Sequence, residues 1–203
     1  MNQSLSNQPS SQSFFARFTT LDIVLMAMLA AANAVMTVYL SQVNQLLNSL
    51  GGPIATSTTT GLYMVYGLLA VYIIRKPGTA LITYGIGGVV QAFMGSAYGI
   101  ASCFAAAACY LVVAEVYFAL TRYRKWNLGV LMGAGAALVP IWFYVAAHMF
   151  GYTKWDTSVL LIALVVRILS GAVLCGLLTK WLGTGLVKSG LLLRFAAAKR
   201  EGA

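Results

Sequence analysis

The chain has 203 residues, 60% of them hydrophobic and only 8% charged. A soluble domain carries about a quarter of its residues as charged side chains, so this composition excludes an ordinary soluble protein and predicts an all-α integral membrane protein. The net charge of +9 would suggest nucleic acid in a soluble chain; here its meaning lies in where the basic residues fall, the expected partner is membrane lipid, and no nucleic acid is expected.

In chain order, residues 1–16 are rich in Ser, Gln and Asn without charge and read as a disordered cytoplasmic tail. This segment has no basic start, and no small-residue cleavage pattern follows the first apolar run, so it does not read as a secretory signal and the first helix is expected to be retained. A bilayer crossing needs roughly 20 apolar residues. Charge, Gly and Pro mark six candidates within a membrane domain spanning 17–187: Leu21 to Leu40, Gly61 to Ile74, Gly78 to Met94, Gly99 to Leu120, Leu128 to Phe150 and Ser158 to Trp181. The second and third are short, which tilt or local thinning of the bilayer would accommodate. A basic tail, 188–203, follows.

Orientation comes from the junctions. Arg17, Arg75, Lys76, Arg122, Arg124, Lys125, Lys180, Lys188, Arg194, Lys199 and Arg200 all fall on one side of a six-pass drawing, while the other side offers only Lys154 against Asp156. The positive-inside rule then places both termini in the cytoplasm of a multi-pass protein of the cell membrane. In the turn Arg75-Lys76-Pro77-Gly78, Pro77 suits the first turn of the third helix and the basic pair anchors at the headgroups.

The loop expected over Ser41 to Thr60 is the longest outer connection, with Gln42, Asn44, Gln45 and Asn48 ahead of a Gly51-Gly52-Pro53 turn. It reads either as a solvated hairpin or as a lid whose uncharged amides, Asn44 among them, meet a small molecule. In the third span, Tyr84, Gly88, Gln91 and Gly95 recur at helical spacing and form one small, polar stripe, a packing seam or a cavity wall. Two ionisable residues lie inside spans. Glu115 stands seven residues from Arg122, roughly 10 Å above the basic face, and Arg167 thirteen from Lys180, roughly 20 Å. They read as a structural pair, as substrate contacts, or as side chains snorkelling to water. In the fifth span, Pro140 precedes Trp142, Phe143, Tyr144 and His148, an interfacial belt or an aromatic wall.

Several chemistries find no residues to carry them. The phosphate-binding GxxxxGK[ST] pattern is absent, no zinc or acidic lipid-transferase motif occurs, and no GxSxG serine accompanies His148. His148 has no neighbour at metal-ligand spacing. Cys103, Cys109 and Cys175 lie in apolar settings that favour packing. No enzyme, cofactor or metal is expected. A small channel or a membrane assembly factor shares this composition and remains an alternative.

The first helix, LDIVLMAMLAAANAV, in a set of short, nearly charge-free helices resembles the substrate-binding S components of energy-coupling factor (ECF) vitamin transporters. YIIRKPGTAL with GSAYG, AEVYFALTR around Glu115 and VVRILSGAVLCGLL around Arg167 are similar to the YkoE group, associated with thiamine and its hydroxymethylpyrimidine precursor. The resemblance covers about Leu21 to Val187. It implies an outward cavity that binds a vitamin, with Glu115 giving a charge-assisted hydrogen bond, Trp142 or Tyr144 stacking, and Gln91, Tyr84, Arg167, His148 and Asn44 as further substrate contacts. It also implies docking through Ala27 and Ala31 on a transmembrane T component carrying two ATPase subunits. The chain departs from the group where acidic residues of the third helix are replaced by Tyr84 and Gln91, which weakens thiamine, a cation, as the ligand; another vitamin remains an alternative.

Overall fold

The computed structural model describes residues 17–190 together with Leu192, Arg194 and Phe195. The tail expected over 1–16 lies outside the described residues, as does most of the basic tail expected over 188–203. Every regular element among the described residues is helical.

Helix α1 covers Thr20–Ser57. It begins at a reciprocal cap: the Asp22 amide donates to Thr19 Oγ1 at 3.2 Å and the Thr19 amide donates to the Asp22 carboxylate at 2.9 Å, satisfying amides that have no partner within the helix. The span expected to end at Leu40 and the loop expected over Ser41 to Thr60 are corrected here, since the helix continues unbroken to Gly51. Ser41 to Leu50 holds neither Gly nor Pro, and its polar residues are not all solvated: Ser41 and Asn44 are 1% and 4% exposed. A polar helix face turned into the protein has the composition of a loop. The stretch from Thr20 to Gly51 runs roughly 48 Å at 1.5 Å per residue, well past a hydrocarbon core of about 30 Å. Gly52, at φ 60° and ψ −151°, then breaks the helix in a conformation that favours glycine, and Pro53 opens one further turn in a new direction.

A 3₁₀ turn, Thr60–Met64, leads into α2, Val65–Ile74, whose ten residues are all buried. The shortness expected of this span therefore has a packing origin: α2 is the axis of the bundle, with α1, α3 and the last helix packed against it. The approach is close because Gly67 receives the ring of Tyr84, while Gly183 receives the ring of Tyr72.

Helix α3 spans Thr79–Met94, α4 Ile100–Leu120 and α5 Leu128–Met149. Pro77 stands exposed in the turn ahead of the Gly78 cap, not inside α3 as expected, because Arg75 and Gly78 both take positive φ to reverse the chain. The sixth pass starts as α6, Thr157–Ser170, widens into a π-helical stretch, Gly171–Leu177, and resumes as α7, Leu178–Lys188. The π stretch lies where this pass crosses α5 at backbone contact: a Cβ on Gly135 would overlap the Gly171 carbonyl, and one on Gly176 would come within 2.5 Å of the Met132 Cα. Outward-facing Phe93, Leu120, Leu161 and Trp181 are all more than half exposed, and four helical passes are long and apolar enough to cross a membrane.

Overpacking typically costs about 1–3 kcal/mol. Gly135→Ala is expected to lower the melting temperature of the detergent-solubilised protein, whereas Gly129→Ala, with nothing within 4 Å of its added Cβ, leaves it unchanged or raises it. Equal melting temperatures for the two variants would contradict the crossing.

Candidate functional site

At the end of the bundle opposite the turn Arg75–Gly78, α1, α3, α4, α5 and α6 surround a cavity of about 170 Å³. In the measure by which one water takes up roughly 10–15 Å³, this is room for a small organic molecule. Its polar lining includes Thr37, Asn44, Gln45 and Asn48 of α1, Gln91 of α3, Ser102 of α4 and Arg167 of α6; its aromatic lining includes Tyr63, Tyr66, Tyr110, Trp142 and Phe150. No carboxylate among the described residues lines it.

The extension of α1 builds one wall and the segment past Gly52 contributes Thr56 and Thr60. Asn44 holds that segment in place: its Nδ2 donates to the Tyr63 hydroxyl at 2.8 Å and its Oδ1 accepts from Thr59 Oγ1 at 2.6 Å. The sixth pass fastens the same segment. Arg167 Nε donates to Ser57 Oγ at 3.0 Å, the Gly61 amide donates to Ser170 Oγ at 3.0 Å, and Ser170 Oγ donates to the Thr58 carbonyl at 2.6 Å. Arg167 is 7% exposed, with its guanidinium 4.9 Å from the centre of the Phe143 ring. Trp142 meets Tyr110 edge-on at 6.2 Å, and Tyr110 leads through Tyr84 to Tyr66, so the aromatic wall continues into the core. At the rim, Tyr98 packs on Phe150 and Phe150 on Tyr152. Burial pushes the Tyr98 phenol above its ordinary range, against the pull of Asn44 and Arg167, so it stays protonated and able to donate.

Of the residues expected at the site, the structure brings Asn44, Gln91, Trp142 and Arg167 together and leaves four elsewhere. Glu115 is at the opposite end, where it accepts from the Gly78, Ala80 and Leu81 amides at 3.1, 3.0 and 3.2 Å and from the Tyr123 hydroxyl. It caps α3: the amides of a first helical turn have no intrahelical acceptor and attract negative charge. It neither pairs with Arg167 nor reaches the cavity. Burial first, then the hydrogen bond to Glu115, pushes the Tyr123 phenol up and keeps its proton in place. Tyr84 is fully buried and donates to the Met64 carbonyl at 2.8 Å, serving the junction before α2. Tyr144 is 67% exposed, and His148 lies against it with ring centres 4.5 Å apart, on the outer side of α5. Both fall on the wrong face of a helix whose other face carries Trp142. The stripe of α3 likewise divides, with Gly88 and Gln91 at the cavity and Tyr84 in the core. Tyr63, Tyr66 and Tyr110 escaped the sequence reading; the signal was tyrosine at membrane depth, where each hydroxyl needs a partner or a cavity.

The family model described as "ABC-type cobalt transport system, permease component" matches residues 21–142. The permease protein YkoE of Bacillus subtilis (strain 168), named for HMP (hydroxymethylpyrimidine) and thiamine, is 32% identical over 185 residues, covering 88% of this chain and 89% of that one. A crystal structure of an S-component of an ECF transporter superposes with a TM-score of 0.86 at 31% identity, over 91% of this chain and 93% of the other. The fold and these relatives thus define a subunit of a membrane transporter, not an enzyme. The chain belongs to the YkoE-like family of ECF transporter S components, which are multi-pass membrane proteins.

A lost cap typically costs about 1 kcal/mol, up to about 2. Glu115→Ala is therefore expected to lower the melting temperature while leaving ligand binding in the cavity unchanged. Calorimetric titration beside a thermal melt checks this, and a tenfold loss of affinity at constant stability would return Glu115 to the ligand site.

Proposed function

We propose that this chain captures an aminopyrimidine, hydroxymethylpyrimidine or thiamine, from outside the cell and passes it inward with partner subunits. The observation that carries this reading is the cavity itself: one polar and aromatic chamber at the end of the bundle away from the turn Arg75–Gly78, sized for a small organic molecule. The name of the Bacillus subtilis relative supplies the ligand class. Asn44, Gln91 and Ser102 offer hydrogen bonds suited to the ring nitrogens and amino group of a pyrimidine, and Trp142 and Tyr110 offer apolar faces for its ring. Cobalt, which the family description mentions, has no evident ligand set, since no group of three or more His, Cys, Asp or Glu among the described residues is placed to hold a metal ion.

With the basic end in the cytoplasm, as the positive-inside rule requires, the cavity faces outward. The chain carries no ATP-binding motif, so transport would depend on a T component and two ATPase subunits. Ala27 is half-buried and Ala31 exposed on the outer surface of α1, flanked by exposed Val24, Met28 and Val35. Small residues there allow another helix to approach closely, which supports the docking role.

Asn44→Ala and Trp142→Ala are expected to weaken hydroxymethylpyrimidine binding at least tenfold in calorimetric titration, while Tyr144→Ala does not change it. Tight binding of an unrelated vitamin alone would keep the transport class and discard this ligand. In cells, Ala27→Trp combined with Ala31→Trp is expected to leave binding intact and abolish uptake; unimpaired uptake would remove these alanines from the docking surface.

A further inference from the structure

The polar groups of α1 do not stop where the cavity lining stops. Asn33, Thr37, Ser41, Asn44 and Asn48 follow one another at steps of four, four, three and four, so they form one stripe of the helix. The first four are 3%, 4%, 1% and 4% exposed. Thr37, Asn44 and Asn48 line the cavity, and Thr37 is the innermost of them, seven residues or roughly 10 Å from Asn44 toward the basic end. Asn33 lies one turn further in. Ser41 and Asn44 are committed within the protein: Ser41 Oγ donates to the Val38 carbonyl at 2.7 Å, and Asn44 is held by Tyr63 and Thr59. Elsewhere in the lining, the hydroxyls of Thr56 and Ser102 likewise donate to carbonyls three residues back. Thr37 differs. Its Oγ1 accepts from Asn33 Nδ2 at 3.2 Å, its own proton has no acceptor among the described residues, and Asn33 Oδ1 has no partner among them either.

A buried amide with one side orphaned costs stability that an apolar pair would keep. A threonine inside a helix can discharge its proton on the carbonyl one turn back, as Thr83 does to Thr79 at 2.8 Å. Asn33 gives Thr37 a donor instead, so what the hydroxyl still has to offer is its own hydrogen, and the open space it borders is the cavity. We infer that Thr37 is a specificity-determining contact, donating its hydroxyl proton to an acceptor atom at the inner end of the ligand, and that Asn33 is a positioning residue that holds the hydroxyl in that sense. The inference rests on the cavity being the ligand site of an S component. For an aminopyrimidine the acceptor is a ring nitrogen, which hydroxymethylpyrimidine and thiamine share. A neutral donor of this kind reads the ring common to both, so substitutions at Asn33 and Thr37 should move the two ligands together.

The test is calorimetric titration of the purified full-length protein with hydroxymethylpyrimidine, thiamine, biotin and riboflavin, beside thermal melts without ligand. Thr37→Val is expected to weaken hydroxymethylpyrimidine and thiamine about tenfold each, the worth of a neutral hydrogen bond whose loss leaves its partner unpaired. Thr37→Ser, which keeps the hydroxyl, should stay within about threefold of the unsubstituted protein. Asn33→Leu combined with Thr37→Val should weaken binding no further than Thr37→Val alone, because Asn33 acts through Thr37, and should melt no lower than the unsubstituted protein, because the orphaned oxygen is gone. Unchanged affinity in Thr37→Val, an equal loss in Thr37→Ser, or a further loss on adding Asn33→Leu overturns the inference while leaving the aminopyrimidine reading in place. If biotin or riboflavin binds and the aminopyrimidines do not, that reading is discarded, and the same substitutions judge Thr37 against the vitamin that binds. No binding of any of the four by the folded protein overturns both.

Discussion

A polar group taken into the membrane must find its partner inside the protein, because hydrocarbon offers none. The two ionisable residues in the middle of this chain meet that constraint differently, and the two ends of the molecule differ accordingly. Glu115 is satisfied by three backbone amides and a phenol, so it fixes where α3 begins and how α3 and α4 sit together. Arg167 is satisfied at Nε alone, so it fixes the segment after Gly52 and still presents donors to the cavity. A completed shell makes one end a structural joint, and an incomplete shell leaves donors at the cavity of the other, the candidate site.

The cavity depends in turn on how tightly the rest of the bundle closes. Helix α2 is buried on all sides, and glycines at its contacts admit the rings of Tyr84 and Tyr72. The crossing of α5 with the sixth pass brings backbone against backbone at Gly135 and Gly171. Where α1 outruns the apolar layer, its buried Ser41 and Asn44 and the bent turn behind Gly52 enclose space instead of filling it. Close contact in the body of the bundle and a folded-back extension at one end are two parts of one arrangement.

Much of the fold was legible. Six passes, the segregation of basic residues and the breaks at Pro77–Gly78 and Gly95–Gly99 follow from hydropathy and punctuation, which act locally along the chain. The extension of α1 was not legible, because Gln, Asn and Ser suit a solvated loop as well as a helix face turned toward a polar cavity. The lining of the cavity was legible in part. Asn44, Gln91, Trp142 and Arg167 were marked by being polar or aromatic near membrane depth, and the same signal marked Glu115, Tyr84, Tyr144 and His148, which serve a cap, a core hydroxyl bond and an outward surface.

The sequence by itself determined the class of the protein, its passes and which end collects the basic residues, because each depends on the transfer of a segment between water and lipid. Only the tertiary structure decided that Glu115 is taken up by the backbone at the start of α3 and that Arg167 is brought to the cavity. Helical periodicity fixes the face on which a side chain lies; the partner that meets that face comes from a distant part of the chain, as Gly78 comes to Glu115 and Ser57 to Arg167.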